Sequence, residues 1–204
     1  MGKSVLCRAI ACYRADGFVI DSMNDFGLGT PVNRYSELPY IGDGGWYSMP
    51  ILSYRGEEEA AVRIALTSVY NAGADGLLPK PYAVVVEEAD MYGGASWNME
   101  ALKKLSNVGQ RWGISLVVNA HDMASCPKVY FTNAHVVLYG RTANHLDLKR
   151  IKPMLDEKTF SIYGKLDEYH FLAVDIMGNL ADVAVLYNRR TRKPERLLVN
   201  ILEE

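Results

Sequence analysis

The sequence predicts an α/β fold: a mostly parallel central sheet flanked by helices, closed by a C-terminal β-hairpin. Three observations predict it. Short apolar runs recur along the chain, the clearest being Tyr82-Ala83-Val84-Val85-Val86 and Ile114-Ser115-Leu116-Val117-Val118. Such uninterrupted runs suit strands buried on both faces, as in parallel sheets. Between them lie stretches with apolar residues at helical spacing, and this alternation of strand and helix is the mark of α/β architecture. The tail instead offers two strand-like runs around Met177-Gly178-Asn179, a turn composition.

The elements follow in order. Leu6, Ala9, Ile10 and Tyr13 share one helical face over residues 4–15. A strand is expected over residues 17–21, ending in Asp21. Residues 22–49, rich in Gly, Pro, Asn, Ser and Tyr, read as a long surface excursion. Residues 50–54 form the next strand. Glu57, Glu58 and Glu59 then open a helix, where acidic side chains suit the positive end of the helix dipole, and Ala61, Ala65 and Val69 line its inner face. After the strand at residues 82–86, Asn98 is a candidate cap for a helix facing inward through Leu102, Leu105 and Val108. Strands at 114–119 and 135–139 come next, then a helix over 146–155, then the hairpin of 169–175 and 182–187.

Composition narrows the function classes. Of the 204 residues, 49% are hydrophobic and 23% charged, with net charge −2. That is an ordinary globular balance. It argues against a generally basic nucleic-acid coat but leaves room for a local positive patch. Cys7, Cys12 and Cys126 have no metal-ligand spacing and suggest reduced thiols. No apolar run approaches the ~20 residues that span a bilayer, so no transmembrane segment is expected.

Two motifs carry chemistry. Gly2-Lys3-Ser4 directly precedes a helix and matches the second half of a phosphate-binding loop, G-x-x-x-x-G-K-[ST]. Backbone N–H groups at a helix start, here from Gly2 through Val5, hold phosphate oxygens. The Lys3 ammonium would reach the terminal phosphates and the Ser4 hydroxyl would ligate Mg2+. Taken alone, the tripeptide also fits an ordinary helix start. The second motif is Val84-Val85-Val86-Glu87-Glu88-Ala89-Asp90: paired acids at the C-terminal end of a buried strand, the edge where ligands of open α/β sheets bind. Glu87 would hold the Mg2+ and Glu88 would polarise the water attacking the γ-phosphate of ATP. A solvated acidic loop is the competing reading.

With these motifs in this order the chain resembles P-loop NTPases of the FtsK/HerA superfamily. A turn, Gly109-Gln110-Arg111-Trp112-Gly113, precedes a strand that ends at Asn119-Ala120-His121. By that resemblance His121 stands at the polar sensor position, usually Gln, and Arg111 is adjacent to the position of the family's arginine. The sequence is most similar to the genome-packaging ATPases of membrane-containing icosahedral viruses, through the motifs above, Val137-Leu138-Tyr139-Gly140-Arg141, residues 144–151 and residues 166–172. The resemblance implies a homo-oligomeric ring, a pentamer or hexamer, with ATP between subunits. It also implies double-stranded DNA as the cargo, a capsid vertex as a docking place, and location in the host cytoplasm or the virion. Arg141 matches a family arginine that acts on a neighbour's ATP; a structural arginine bound to Asp147 or to a backbone carbonyl is the equal alternative. Residues 1–204 read as one such domain beginning inside its phosphate loop, with the first strand missing, so this chain is expected to bind ATP less well than one extended upstream. Two other functions share these motifs: a phage-assembly ATPase of the zonula-occludens-toxin type, and an oligomer component with a relic site. Lys149, Arg150, Lys152 and the tail cluster Arg189, Arg190, Arg192, Lys193 and Arg196 are candidate DNA-phosphate contacts, set against the commoner reading of a solvated charged face. Trp46, Trp97 and Trp112 are expected to pack rather than stack on bases.

Overall fold

A computed structural model describes residues 3–12, 16–21, 23, 29–37, 52–55, 59–89, 100–124, 126–188 and 193–202. Gly2, Glu57, Glu58, Asp90, Asn98, Trp46, Trp97, Arg189, Arg190, Arg192 and most of residues 22–49 lie outside them. The chain divides into two compact units, Ile10–His121 and a second made of Met1–Ala9 with Asp122–Glu204.

The described chain opens with α1 (Lys3–Cys12). Within the first unit, β1 (Asp16–Ile20), β2 (Thr30–Val32), β3 (Leu52–Tyr54), β4 (Tyr82–Val86) and β5 (Ile114–Val118) form a sheet in the order β2-β3-β1-β4-β5. Every pairing is parallel. The apolar runs explain this. Val84, Val85 and Val86 have no exposed surface, and neither do Phe18 or Ile20 of β1. A strand covered on both faces gains from an apolar residue at every position, not at alternate ones.

Helix α2 (Glu59–Ala74) buries Ala61, Val62, Ala65, Leu66, Val69 and Ala72, the i, i+3, i+4 stripe of a surface helix. Helix α3 (Glu100–Val108) buries Ala101, Leu102 and Leu105 and carries a Glu100–Lys104 pair, 2.7 Å apart, on its exposed side. A 3-10 turn over Gly109–Trp112 ends at Gly113, whose φ of 78° lets the chain reverse into β5. Trp112 meets Tyr70 edge-on with centroids 4.9 Å apart, so this tryptophan packs as expected.

In the second unit, α4 (Lys128–Thr132), β6 (Val136–Gly140), α5 (His145–Ile151), α6 (Glu157–Tyr163), β7 (His170–Asp175), β8 (Leu180–Asn188) and β9 (Lys193–Leu202) follow one another. The four strands make an antiparallel sheet in sequential order. The expected hairpin is β7–β8. Its turn is held by Asp175, which accepts from the backbone N–H groups of Met177 and Asn179 and from the Asn179 amide. That amide bond holds the Asp175 carboxyl below its ordinary range. β9 extends the hairpin where the sequence suggested only a charged tail. Pro194 is tolerated there because β9 pairs on one side only. Tyr139, Ile151, Tyr163, Leu166 and Leu172 form the core of this unit.

Among the described residues no helix is long and apolar enough to cross a membrane.

Candidate active site at the end of the central strand

The sheet of the first unit places its acids by topology. β2 and β3 lie on one side of β1, and β4 and β5 on the other. The strand order therefore reverses between β1 and β4, and at such a point the carboxyl ends of parallel strands open a crevice. Asp21 directly follows β1 there with no exposed surface, taking a long hydrogen bond from the Ser53 hydroxyl at 3.4 Å. Glu87 and Glu88 follow β4 directly.

The two glutamates differ sharply. Glu87 is 3% exposed. Its backbone N–H continues the ladder to the Ile20 carbonyl at 3.0 Å. Its Oε2 accepts from the Asn119 side-chain amide at 2.5 Å. A carboxylate buried this far needs such a charge-assisted donor. Glu88 instead turns the chain: its φ is 49°, in the left-handed region that side chains other than Gly, Asn and Asp rarely adopt. Its Oε1 lies 3.1 Å from His121 Nε2.

The end of β5 holds this turn. The Asn119 N–H donates to the Val86 carbonyl at 2.9 Å, and the Ala89 N–H donates to the Asn119 carbonyl at 2.7 Å. With the two side-chain contacts, residues 119–121 brace residues 86–89 at four points. That bracing is what holds Glu88 in a backbone conformation costing roughly 1–2 kcal/mol. Comparing Glu88→Gly with Glu88→Ala isolates this cost, since both lose the His121 contact. The glycine variant is expected to be the more stable by about 1 kcal/mol, read from the urea midpoints; equal midpoints would show an unstrained turn.

Sequence reasoning gave Asn119 no role. A polar residue ending an apolar strand was the available signal; its partner is 32 positions away. Arg111 is placed differently from the acids. It is exposed in the turn that precedes β5, so it belongs to the N-terminal edge of the parallel sheet, and the structure does not bring it to Glu87 and Glu88. Among the described residues no three of His, Cys, Asp or Glu cluster as metal ligands. The donors fit Mg2+ in a narrower sense: it takes hard oxygen ligands and is commonly held by one or two carboxylates plus phosphates and water, and Glu87 is a braced carboxylate at the strand end.

In the second unit, Lys3, Ser4 and Val5 form the first turn of α1, all partly buried. Arg141 follows β6 and is exposed, with Nη1 donating to the Leu166 carbonyl at 3.4 Å. Of the two structural partners expected for it, the backbone carbonyl is the one found. Asp147 is engaged by Thr142, Met123 and Ala124 instead. Tyr163 pins the start of the Arg141 loop, donating to the Gly140 carbonyl and accepting from the Thr142 N–H, each at 3.1 Å. Arg150 turns inward: its guanidinium donates to the carbonyls of Ala124 and Cys126 and lies 5.3 Å from the Phe131 ring centroid. It is therefore a structural brace, while Lys149 and Lys152 remain exposed.

No family model and no curated protein sequence matches the chain. Solved structures do. The genome packaging NTPase from Sulfolobus turreted icosahedral virus 2 in complex with AMPPCP aligns with a TM-score of 0.64 at 12% identity, over 87% of this chain and 86% of that one. The same NTPase in complex with ATP-gammaS aligns over 98% of this chain and 92% of that one, with a TM-score of 0.64 and 13% identity. The DNA-packaging ATPase from Sulfolobus turreted icosahedral virus gives a TM-score of 0.62 at 14% identity, over 99% and 93%. The chain thus has the fold of viral genome-packaging NTPases over nearly its whole length, as the sequence resemblance implied.

Proposed function

We propose that this chain is the ATPase subunit of a viral DNA-packaging motor, hydrolysing ATP to move double-stranded DNA. The observation that carries the proposal is the braced acid turn. Glu87 and Glu88 stand at the switch point of a parallel sheet, in a fold shared with nucleotide-bound packaging NTPases.

In this reading the γ-phosphate is transferred to water, and catalysis is mainly positioning and charge stabilisation. Lys3, with the backbone N–H groups of Gly2, Ser4 and Val5, holds the phosphates. By the resemblance Ser4 and Glu87 are each candidates to hold Mg2+, which would supply positive charge to the phosphate oxygens when bound. Glu88 orients the attacking water and accepts its proton. Arg141, exposed on its loop, acts on the ATP of a neighbouring subunit in a ring of five or six. Arg111, at the other edge of its sheet, has no part in its own chain's acid turn and is available to a neighbour. The ring would work in the host cytoplasm or at a capsid vertex.

The test is ATP turnover by the full chain, with and without double-stranded DNA. Turnover stimulated by DNA and lost in Lys3→Ala is expected. Absence of turnover at saturating ATP and magnesium would instead support a relic site, and turnover insensitive to Lys3→Ala would remove the phosphate loop from the mechanism.

A further inference from the structure

Resting on that reading, we infer that His121 is a positioning residue for Glu88: it holds the carboxylate and does not itself read the γ-phosphate. The sequence resemblance places His121 at a sensor position, where the usual side chain would face the nucleotide. The structure gives the imidazole another partner, Glu88 Oε1, 3.1 Å from Nε2.

Three features make this contact a built one. First, Glu88 leaves the strand at φ 49°, so its side-chain direction is set by the turn and not by strand alternation. Second, the two partners are carried by a common frame, because Asn119 is bonded to Val86, Glu87 and Ala89. Asn119 and His121, two positions apart, thereby take one glutamate each. Third, the exposures differ: the Glu88 side chain is 17% exposed and the His121 side chain 57%. The carboxylate is sheltered while the ring that holds it faces outward.

The chemistry follows. A carboxylate that orients water must be fixed in rotation, or it samples several directions and the water with it. A ring N–H donating to Oε1 fixes the group and assigns Oε2 to the water. An imidazole engaged this way has no second Nε2 proton to give to a phosphate oxygen. The donor requirement is an N–H at that reach, and a glutamine amide satisfies it.

The test uses the full chain with His121→Ala, His121→Gln, Glu88→Gln and the double variant His121→Ala/Glu88→Gln. His121→Ala is expected to lower kcat about tenfold or more, while the ratio of ATP-gammaS to ADP affinity stays unchanged. His121→Gln is expected to retain turnover within about threefold of the parent, since it keeps a donor. Once Glu88 is Gln, removing His121 is expected to cost nothing further, the non-additivity of groups acting as a unit. The inference is overturned if His121→Ala leaves kcat unchanged, or if it weakens ATP-gammaS binding relative to ADP, the signature of a direct γ-phosphate contact. If the parent chain hydrolyses no ATP, the function proposed above fails separately, and the contact is still decided by the His121 ring-nitrogen NMR signals. A shift of the Nε2 signal between the parent chain and Glu88→Gln supports the pairing. An unmoved signal overturns it.

Discussion

Glu88→Gln is expected to reduce ATP turnover by roughly 10²–10⁴-fold while leaving fold and nucleotide affinity almost unchanged. The size comes from removing a positioned proton acceptor, a group whose contribution lies in that range. The selectivity comes from the geometry. Glutamine has the same length, keeps a carbonyl oxygen to accept from His121 Nε2, and sits in the same braced turn. What it loses is the charge and basicity that, in the proposed function, polarise water in the transition state. An interaction made only there lowers kcat and kcat/KM together. Phosphate release under steady state, paired with ATP-gammaS binding, measures both halves. Turnover within about twofold of the parent would refute the assignment of Glu88. Glu87→Gln provides the contrast. Glu87 is buried against an amide donor; glutamine keeps an oxygen to accept from Asn119 but loses the charge assistance and buries an NH2 group, so a loss of stability accompanies any loss of turnover.

The fold was legible where burial imposes a simple rule. β4 is read from the sequence because a strand covered on both faces becomes a continuous apolar run, and the acids at its end stand out against that background; β5 carries a similar run but ends the strand order and is only partly buried after Ile114. The hairpin was legible through Asp175 to Asn179, since the turn is made of local bonds. Long-range partners were not. Asn119 and Glu87 meet only once β4 and β5 are paired in register, and no spacing rule predicts a contact 32 residues apart. The resemblance set His121 at a sensor position but could not name its partner within the chain, which is the Glu88 carboxylate, 3.1 Å from Nε2. β9 escaped because Lys193, Glu195 and Arg196 mask its first half, which an edge strand tolerates. Helix α6 was missed although its start carried a signal: Asp156 caps it, accepting from the Thr159 N–H and hydroxyl, both at 2.8 Å. β6 was expected as a core strand and is found pairing antiparallel with β7, because the partner of a strand is set by chain topology and not by its own composition.

Asp147→Ala is expected to cost about 3 kcal/mol, or roughly 6–12 °C in Tm for a chain of this size. Asp147 is 4% exposed. Its Oδ1 accepts from the backbone N–H groups of Met123 at 3.0 Å and Ala124 at 3.3 Å, and its Oδ2 accepts from the Thr142 hydroxyl at 3.2 Å. Alanine removes all three acceptor contacts at once; the Ala124 N–H keeps its 2.8 Å bond to Asp122 Oδ1, but the Met123 N–H loses its acceptor, which costs more than the bond contributed when made. Thr142→Val removes one of the three and is expected to cost only about 1 kcal/mol. The effect is also local in a way that a general loss of packing is not. Amide exchange at Met123 is expected to accelerate in Asp147→Ala before the core around Tyr139 and Leu172 responds. Thr142 is the neighbour of Arg141, so the same carboxylate fixes the loop that presents the guanidinium. If Asp147→Ala melts with the parent chain and the Met123 amide remains protected, the carboxylate is no keystone, and the Arg141 loop must owe its shape to Tyr163 and the Leu166 carbonyl.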